Sequence, residues 1–163
     1  MDAVAHVDKL GESFIIRPFL RGDRAALRDM YDDFEPKRVA QGLPPAEEGQ
    51  RAAWLGSILA DGHHLVVEIE GRVVGHGMLL PMRDDDAELA NFLHQATRDR
   101  GIGTTLNRAL LELGRSLGIR RVWLSVEPFN RRAIRSYEKV GFQRRPMSPW
   151  SPEVEMEVEL DGD

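Results

Sequence analysis

Arg98, Asp99, Arg100, Gly101, Ile102, Gly103, Thr104 and Thr105 form the run whose residue types point most directly to a chemistry, and that chemistry is anion binding. Glycines let the backbone turn so that successive N–H groups converge. A helix starting at the same place adds the positive end of its dipole, and Arg98 and Arg100 bring full charges suited to a diphosphate. Thr104 and Thr105 add hydroxyl donors. Three phosphate loops share this chemistry, and spacing separates them. A P-loop needs Gly-Lys-Ser/Thr after a four-residue gap, which does not occur here. A dinucleotide loop needs a third glycine where this chain has Leu106, and an acid about twenty residues further on, where it has Arg121. What remains is Arg-x-x-Gly-x-Gly at a strand-to-helix junction.

Other chemistries are narrowed by composition. The 163 residues include no cysteine, which excludes a thiol nucleophile, a thiolate metal site and any disulfide. His63 and His64 adjoin at the start of a strand and His76 stands alone in a hairpin, so none has metal-ligand spacing on a helix and no metal is expected. A formal net charge of −5 disfavours adhesion to nucleic acid or anionic membrane and favours a cationic partner. Apolar stretches are short and interrupted by charge, and Met1 to Lys9 carries no basic segment followed by an apolar one. The sequence therefore predicts a cytoplasmic protein with no membrane span.

The elements that must position the loop can be read from periodicity. Phe14, Ile15 and Ile16 ahead of Pro18 predict a first strand. Leu27, Met30, Tyr31 and Phe34 share one face of a helix, and after the break at Gly42-Leu43-Pro44-Pro45 a second helix carries Trp54, Leu55, Ile58 and Leu59. Leu65, Val67 and Ile69, a Glu70-Gly71 turn and Val73 to Leu80 predict an antiparallel hairpin. Ala87 to His94 predicts the strand that feeds the loop. A long helix follows with a stripe of Ile102, Leu106, Ala109, Leu110, Leu113 and Leu117, stopped by Gly118. Val122, Leu124 and Val126 alternate as a strand, and Asn130 caps a helix carrying Ala133, Ile134, Tyr137 and Val140 that ends at Gly141. The last strand alternates Val154, Met156, Val158 and Leu160 with four glutamates, predicted to be the outward face of a protected edge strand. The order predicts one α/β domain over 1–163, core about 14–160, with a mixed sheet of six to seven strands flanked by about four helices.

The loop does not stand alone. Asn130-Arg-Arg-Ala-Ile-Arg-Ser-Tyr137-Glu-Lys-Val-Gly141-Phe142, in this order and spacing after Arg98 to Gly103, resembles the asparagine, helix, tyrosine and Gly-Phe element of the GNAT N-acetyltransferases. Ala87-Glu88-Leu89 resembles their acid-bearing strand. The resemblance implies the GNAT fold and transfer of the acetyl group of acetyl-CoA to a primary amine, either a protein lysine or a small molecule. The segment from Met30 to Pro45 resembles prokaryotic members that include protein-lysine acetyltransferases. A homodimer is compatible with the resemblance but is not visible in the sequence.

By that resemblance, backbone groups of Phe92, Leu93 and His94 pair with the pantetheine arm. Arg98, Asp99, Arg100, Gly101, Ile102, Gly103 and Thr104 hold the diphosphate, and Asn130 is a cofactor contact as well as a helix cap. Tyr137 protonates the leaving thiolate, and its ordinary pKa near 10 keeps it protonated for that task. Glu88 is the candidate base, because an amine with a pKa of about 10.4 must lose a proton before it can attack. His94 is the alternative base. With neither cysteine nor a serine-histidine-acid arrangement, direct attack by the amine is the simpler scheme. The competing readings are an acetyl-CoA-binding module with no turnover, and a nucleotide-binding regulator that uses the glycine loop.

Overall fold

The computed structural model describes residues 1–37, 43–146 and 149–160. Gly42, part of the break expected between the first two helices, lies outside them. The elements run β1 (Val4–Val7), β2 (Ser13–Pro18), α1 (Arg24–Asp33), α2 (Glu48–Leu59), β3 (His63–Ile69), β4 (Arg72–Pro81), β5 (Asp86–Leu93), α3 (Ile102–Ser116), β6 (Arg121–Val126), α4 (Arg131–Lys139), β7 (Gln143–Arg144) and β8 (Val154–Glu159). The strands form a mixed sheet ordered β1-β2-β3-β4-β5-β6-β8-β7. It has eight strands where six to seven were expected, and the layered α/β class is as predicted. No helix among the described residues is long and apolar enough to cross a membrane.

The chain divides into two compact units, Met1–His76 with Phe92–Ile102, and Gly77–Asn91 with Gly103–Asp163. In the first, β1 and β2 pair antiparallel, Val4 with Ile16 and Val7 with Ser13, and β2 pairs antiparallel with β3. Phe14 and Ile16 point into the core while Ser13 and Ile15 are exposed, the alternation expected of a strand covered on one face. Leu65, Val66 and Val67 are all buried, so β3 is covered on both faces. Leu27, Met30, Tyr31 and Phe34 form the buried stripe of α1 and its exit. Arg51 on α2 reaches Asp32 on α1 at 2.7 Å and donates to the carbonyls of Pro45 and Ala46 at 3.2 and 3.0 Å. That buried guanidinium fastens the two helices together.

The core of this unit also carries a directed polar chain. Nε2 of His64 lies 2.7 Å from the Asp61 carbonyl, which can only accept, so the proton is on Nε2 and Nδ1 of His64 is an acceptor. Nε2 of His76, 2.9 Å away, must then donate to it, which leaves Nδ1 of His76 to accept the Tyr31 hydroxyl at 2.6 Å. Every donor and acceptor is used with both imidazoles neutral. Burial holds the His76 pKa down at about 3 and lowers that of His64 as well.

In the second unit β5 and β6 run parallel with the register Asp86–Arg121, Ala87–Val122 and Glu88–Trp123. Beyond Glu88 and Trp123 the strands continue to Leu93 and Val126 outside that register. β6 pairs antiparallel with β8 along its whole length, from Arg121–Glu159 to Val126–Val154, and β8 pairs with β7 on its other side. The final glutamate strand is thus interior to the sheet and not the edge strand predicted. Its acids are matched by arginines across the ladder: Glu155 and Glu157 lie 3.5 and 3.6 Å from Arg145, and Glu157 lies 3.7 Å from Arg121. In α3 the buried residues include Leu106, Asn107, Leu110 and Leu111, whereas Leu117, expected on its buried stripe, lies just past the helix end and is 44% exposed. Gly77 sits under this helix. A β-carbon there would lie 2.8 Å from Leu110 Cδ1 and 3.0 Å from Leu106 Cδ1.

Candidate active site

The segment leaving β5 in the first unit is held by side chains on every side. Phe92 is buried in a cluster with Tyr31, Phe34 and Trp54, its ring centroid 5.6 to 5.7 Å from each of theirs. Such edge-to-face contacts fix a ring more firmly than burial alone. The His94 N–H donates to the Val74 carbonyl at 2.8 Å. Nδ1 of His94 accepts the Ala96 N–H, so its proton is on Nε2, which donates to Asp33 at 2.7 Å. Both ring nitrogens are therefore engaged in holding the turn, which favours the positioning role for His94 over the role of base. Thr97 is buried and donates to the His94 carbonyl at 2.8 Å.

Arg98 and Arg100, both expected to meet a diphosphate, also build the loop. Arg98 Nε donates to the Leu93 carbonyl at 3.1 Å and Nη2 to the Glu35 carbonyl, and its guanidinium lies 5.1 Å over the Phe34 ring. Arg100 pairs with Glu12 at 3.1 Å and donates to the Ala96 carbonyl at 3.3 Å. Asp99 and Gly101 take positive φ, +66° and +81°, and the second explains the glycine, since a left-handed residue here turns the chain straight into α3. Ile102, the first residue of α3, is fully buried and anchors the helix start. The N–H groups of a first helical turn have no partners within the helix, so this donor set has the chemistry a diphosphate needs.

The second unit holds Gly103, Thr104, Glu88, Asn130 and Tyr137. Thr104 Oγ1 lies 2.9 Å from Ser136 Oγ on α4, which also accepts from Asn107 Nδ2 at 3.2 Å. Asn107 in turn accepts a short hydrogen bond from the Asn91 amide. These residues tie the helix start, the end of β5 and α4 into one polar network. Asn91, Asn107 and Ser136 were not singled out by sequence reasoning. The available signal was an asparagine at position 107, inside the buried stripe of α3, where an unpaired amide would be costly.

Tyr137 is 8% exposed, packs at 5.7 Å from Phe142, and has its pKa pushed up to about 12, by burial first and against the pull of Asn91. The phenol is therefore held in its neutral, proton-carrying form. Glu88 is half-buried on β5 and its pKa is raised, chiefly by burial and further by the charge of Glu153. A carboxylate so placed has increased proton affinity. Asn130 Oδ1 accepts the Ala133 N–H at 3.3 Å, the cap expected from the sequence. No cluster of His, Cys, Asp or Glu among the described residues could hold a metal.

A model of the acetyltransferase (GNAT) family matches residues 24–142. The uncharacterized N-acetyltransferase YjgM of Escherichia coli (strain K12) is 32% identical over 87 residues, 50% of this chain and 52% of that protein. The match thus spans about half the length of this curated relative. Among solved structures, the GNAT domain of S. lividans PAT superposes with a TM-score of 0.81 at 20% identity, covering 97% of each chain. The protein yncA of Salmonella typhimurium, solved with its cofactor acetyl-CoA, superposes at 0.71 with 21% identity over 91% of this chain and 94% of that one. At these identities the structural likeness speaks for the fold.

Proposed function

Because this chain belongs to the acetyltransferase (GNAT) family, we propose that it is an N-acetyltransferase that carries the acetyl group of acetyl-CoA to a primary amine on a protein lysine or a small molecule. The observation that carries this reading is the turn at Gly101, φ +81°, which delivers the chain into α3 with the N–H groups of Ile102, Gly103 and Thr104 at the helix head. Bound acetyl-CoA supplies an activated thioester. The chain's part is to hold that molecule and move two protons. The loop from Arg98 to Thr104 binds the phosphates, and the backbone of Phe92, Leu93 and His94 orients the pantetheine arm. Asn130 adds a cofactor contact.

Glu88 takes the proton of the incoming amine, directly or through water, and its raised proton affinity suits that task. Tyr137 gives its phenolic proton to the departing sulfur, and burial keeps that proton in place at neutral pH. The rest of the rate enhancement comes from orientation in a site where amine and thioester are held together. The cytoplasmic location expected from the sequence belongs to the same reading.

Calorimetric titration with acetyl-CoA, CoA and ATP, comparing wild type with Gly103→Asp, tests the cofactor reading. Selective acetyl-CoA binding that is lost in the variant supports it and opens a screen of amine acceptors. Folded wild-type protein that binds no acetyl-CoA would sink it.

A further inference from the structure

The loop assigned to the diphosphate is gripped from one side by the turn between β1 and β2, and that turn carries a lysine. The Lys9 N–H donates to the Arg100 carbonyl at 3.0 Å. Its side chain lies across Gly101, where a β-carbon would stand 3.2 Å from Lys9 Cε, 3.4 Å from Cγ and 3.7 Å from Cδ. The start of that side chain is fixed by its neighbour. Asp8 is buried, and its Oδ1 accepts the N–H groups of Leu10 and Glu12 at 2.8 and 3.0 Å, closing the turn.

Charge accounting separates the two cations at this place. The Arg100 guanidinium lies 3.1 Å from Glu12 and 3.8 Å from the otherwise unbonded Oδ2 of Asp8. Its charge is met by carboxylates of the hairpin. Among the described residues no carboxylate forms an ion pair with the Lys9 ammonium, although the lysine stem is laid along the loop backbone. A lysine arranged in this way lays its methylenes along the backbone while its charged end stays in water. The absence of a side chain at Gly101 is what leaves room for that stem.

We infer that Lys9 is the cation this chain sets against the phosphate groups of bound acyl-CoA, while Arg100 locks the hairpin to the loop. This rests on the acyl-CoA reading above. The shared chemistry is a phosphate dianion or diphosphate, and the molecule offers two sources, the diphosphate bridge and the 3′-phosphate of the ribose.

The test is calorimetric titration of wild type, Lys9→Ala, Lys9→Glu and Lys9→Arg with acetyl-CoA and with its 3′-dephospho form, at low and moderate salt, with thermal melts as folding controls. Acetyl-CoA affinity should fall about tenfold in Lys9→Ala, further in Lys9→Glu, and return toward wild type in Lys9→Arg, with a shallower salt dependence in Lys9→Ala. A Lys9→Ala loss that persists with the dephospho ligand supports contact with the diphosphate, and one that disappears supports contact with the 3′-phosphate. Wild-type affinity and salt dependence in both Lys9→Ala and Lys9→Glu would overturn the role of Lys9 and leave the acyl-CoA reading intact. A loss in Lys9→Ala that Lys9→Arg does not restore would overturn it too, by assigning the effect to the stem. Failure of wild type to bind either ligand would overturn the reading beneath it.

Discussion

Tyr31 and His76 meet in the core through a hydrogen bond of 2.6 Å in which the phenol is the donor and Nδ1 of the imidazole the acceptor. The direction is imposed from the far end, by a carbonyl that cannot donate. Tyr31→Phe removes the donor and leaves a buried ring nitrogen unsatisfied, at a cost of about 1–3 kcal/mol. Urea unfolding at pH 7 should read this as a lower midpoint with an unchanged slope.

The same chain makes stability depend on pH. With its pKa held at about 3 in the folded state, His76 gains a proton in the unfolded chain at much higher pH. Between the two values the unfolded state binds more protons, so this contribution is complete above about pH 6.5 and is lost as pH falls toward 3, by up to about 1.4 kcal/mol per unit. Unfolding followed between pH 7 and 4.5 should show the decline in wild type and a smaller one in His76→Gln. Equal declines would remove the assignment.

For Glu88, burial and the Glu153 charge act in the same direction. If Glu88 is the base, the acid limb of kcat/KM lies above the ordinary carboxylate range. Glu153→Gln should move that limb to lower pH, and Glu88→Gln should abolish it along with most of the activity. A limb that stays in place in Glu153→Gln would show that another group titrates there.

Tyr137→Phe should lower kcat about a hundredfold or more, the scale expected of a lost general acid, while acetyl-CoA affinity changes little. Because the phenol holds its proton up to about pH 12, wild-type kcat should show no Tyr137 limb across the usable alkaline range. Equal losses in affinity and turnover would mark the residue as packing.

Gly77→Val tests the seat of α3. The added side chain would meet Leu110 and Leu106 well inside van der Waals distance, so it should destabilise by about 1–3 kcal/mol, read from the urea midpoint.

Much of the local backbone around the candidate site was legible from the sequence because its parts are decided locally. Gly101 with its positive φ, the Asn130 cap and the end at Gly141 (φ 108°) are each decided within a few residues, and each stands where the pattern put it. Long-range pairing was not legible. β1 has four residues and β7 has two, so neither leaves a period to count. The position of β8 inside the sheet could not be read from its alternation, because alternating glutamates look alike whether they face water or the side chains of Arg121 on β6 and of Arg145 just past β7. The same limit hid Asn107, whose partners Asn91 and Ser136 come from other elements. Arg98 and Arg100 were found by type, but their anchoring contacts to Glu35, Glu12 and Ala96 appear only in three dimensions.

The register of β5 and β6 stops at Glu88 and Trp123 although both strands go on. On the acyl-CoA reading, the ligand's own amides complete the interrupted ladder, so the donor is recognised by main chain that is the same whatever side chains hang from it. Mutation can then rewrite the side chains around the acceptor without eroding the donor. On that reading a chain can exchange its amine acceptor while keeping its activated acyl donor, a freedom that the unfinished ladder confers.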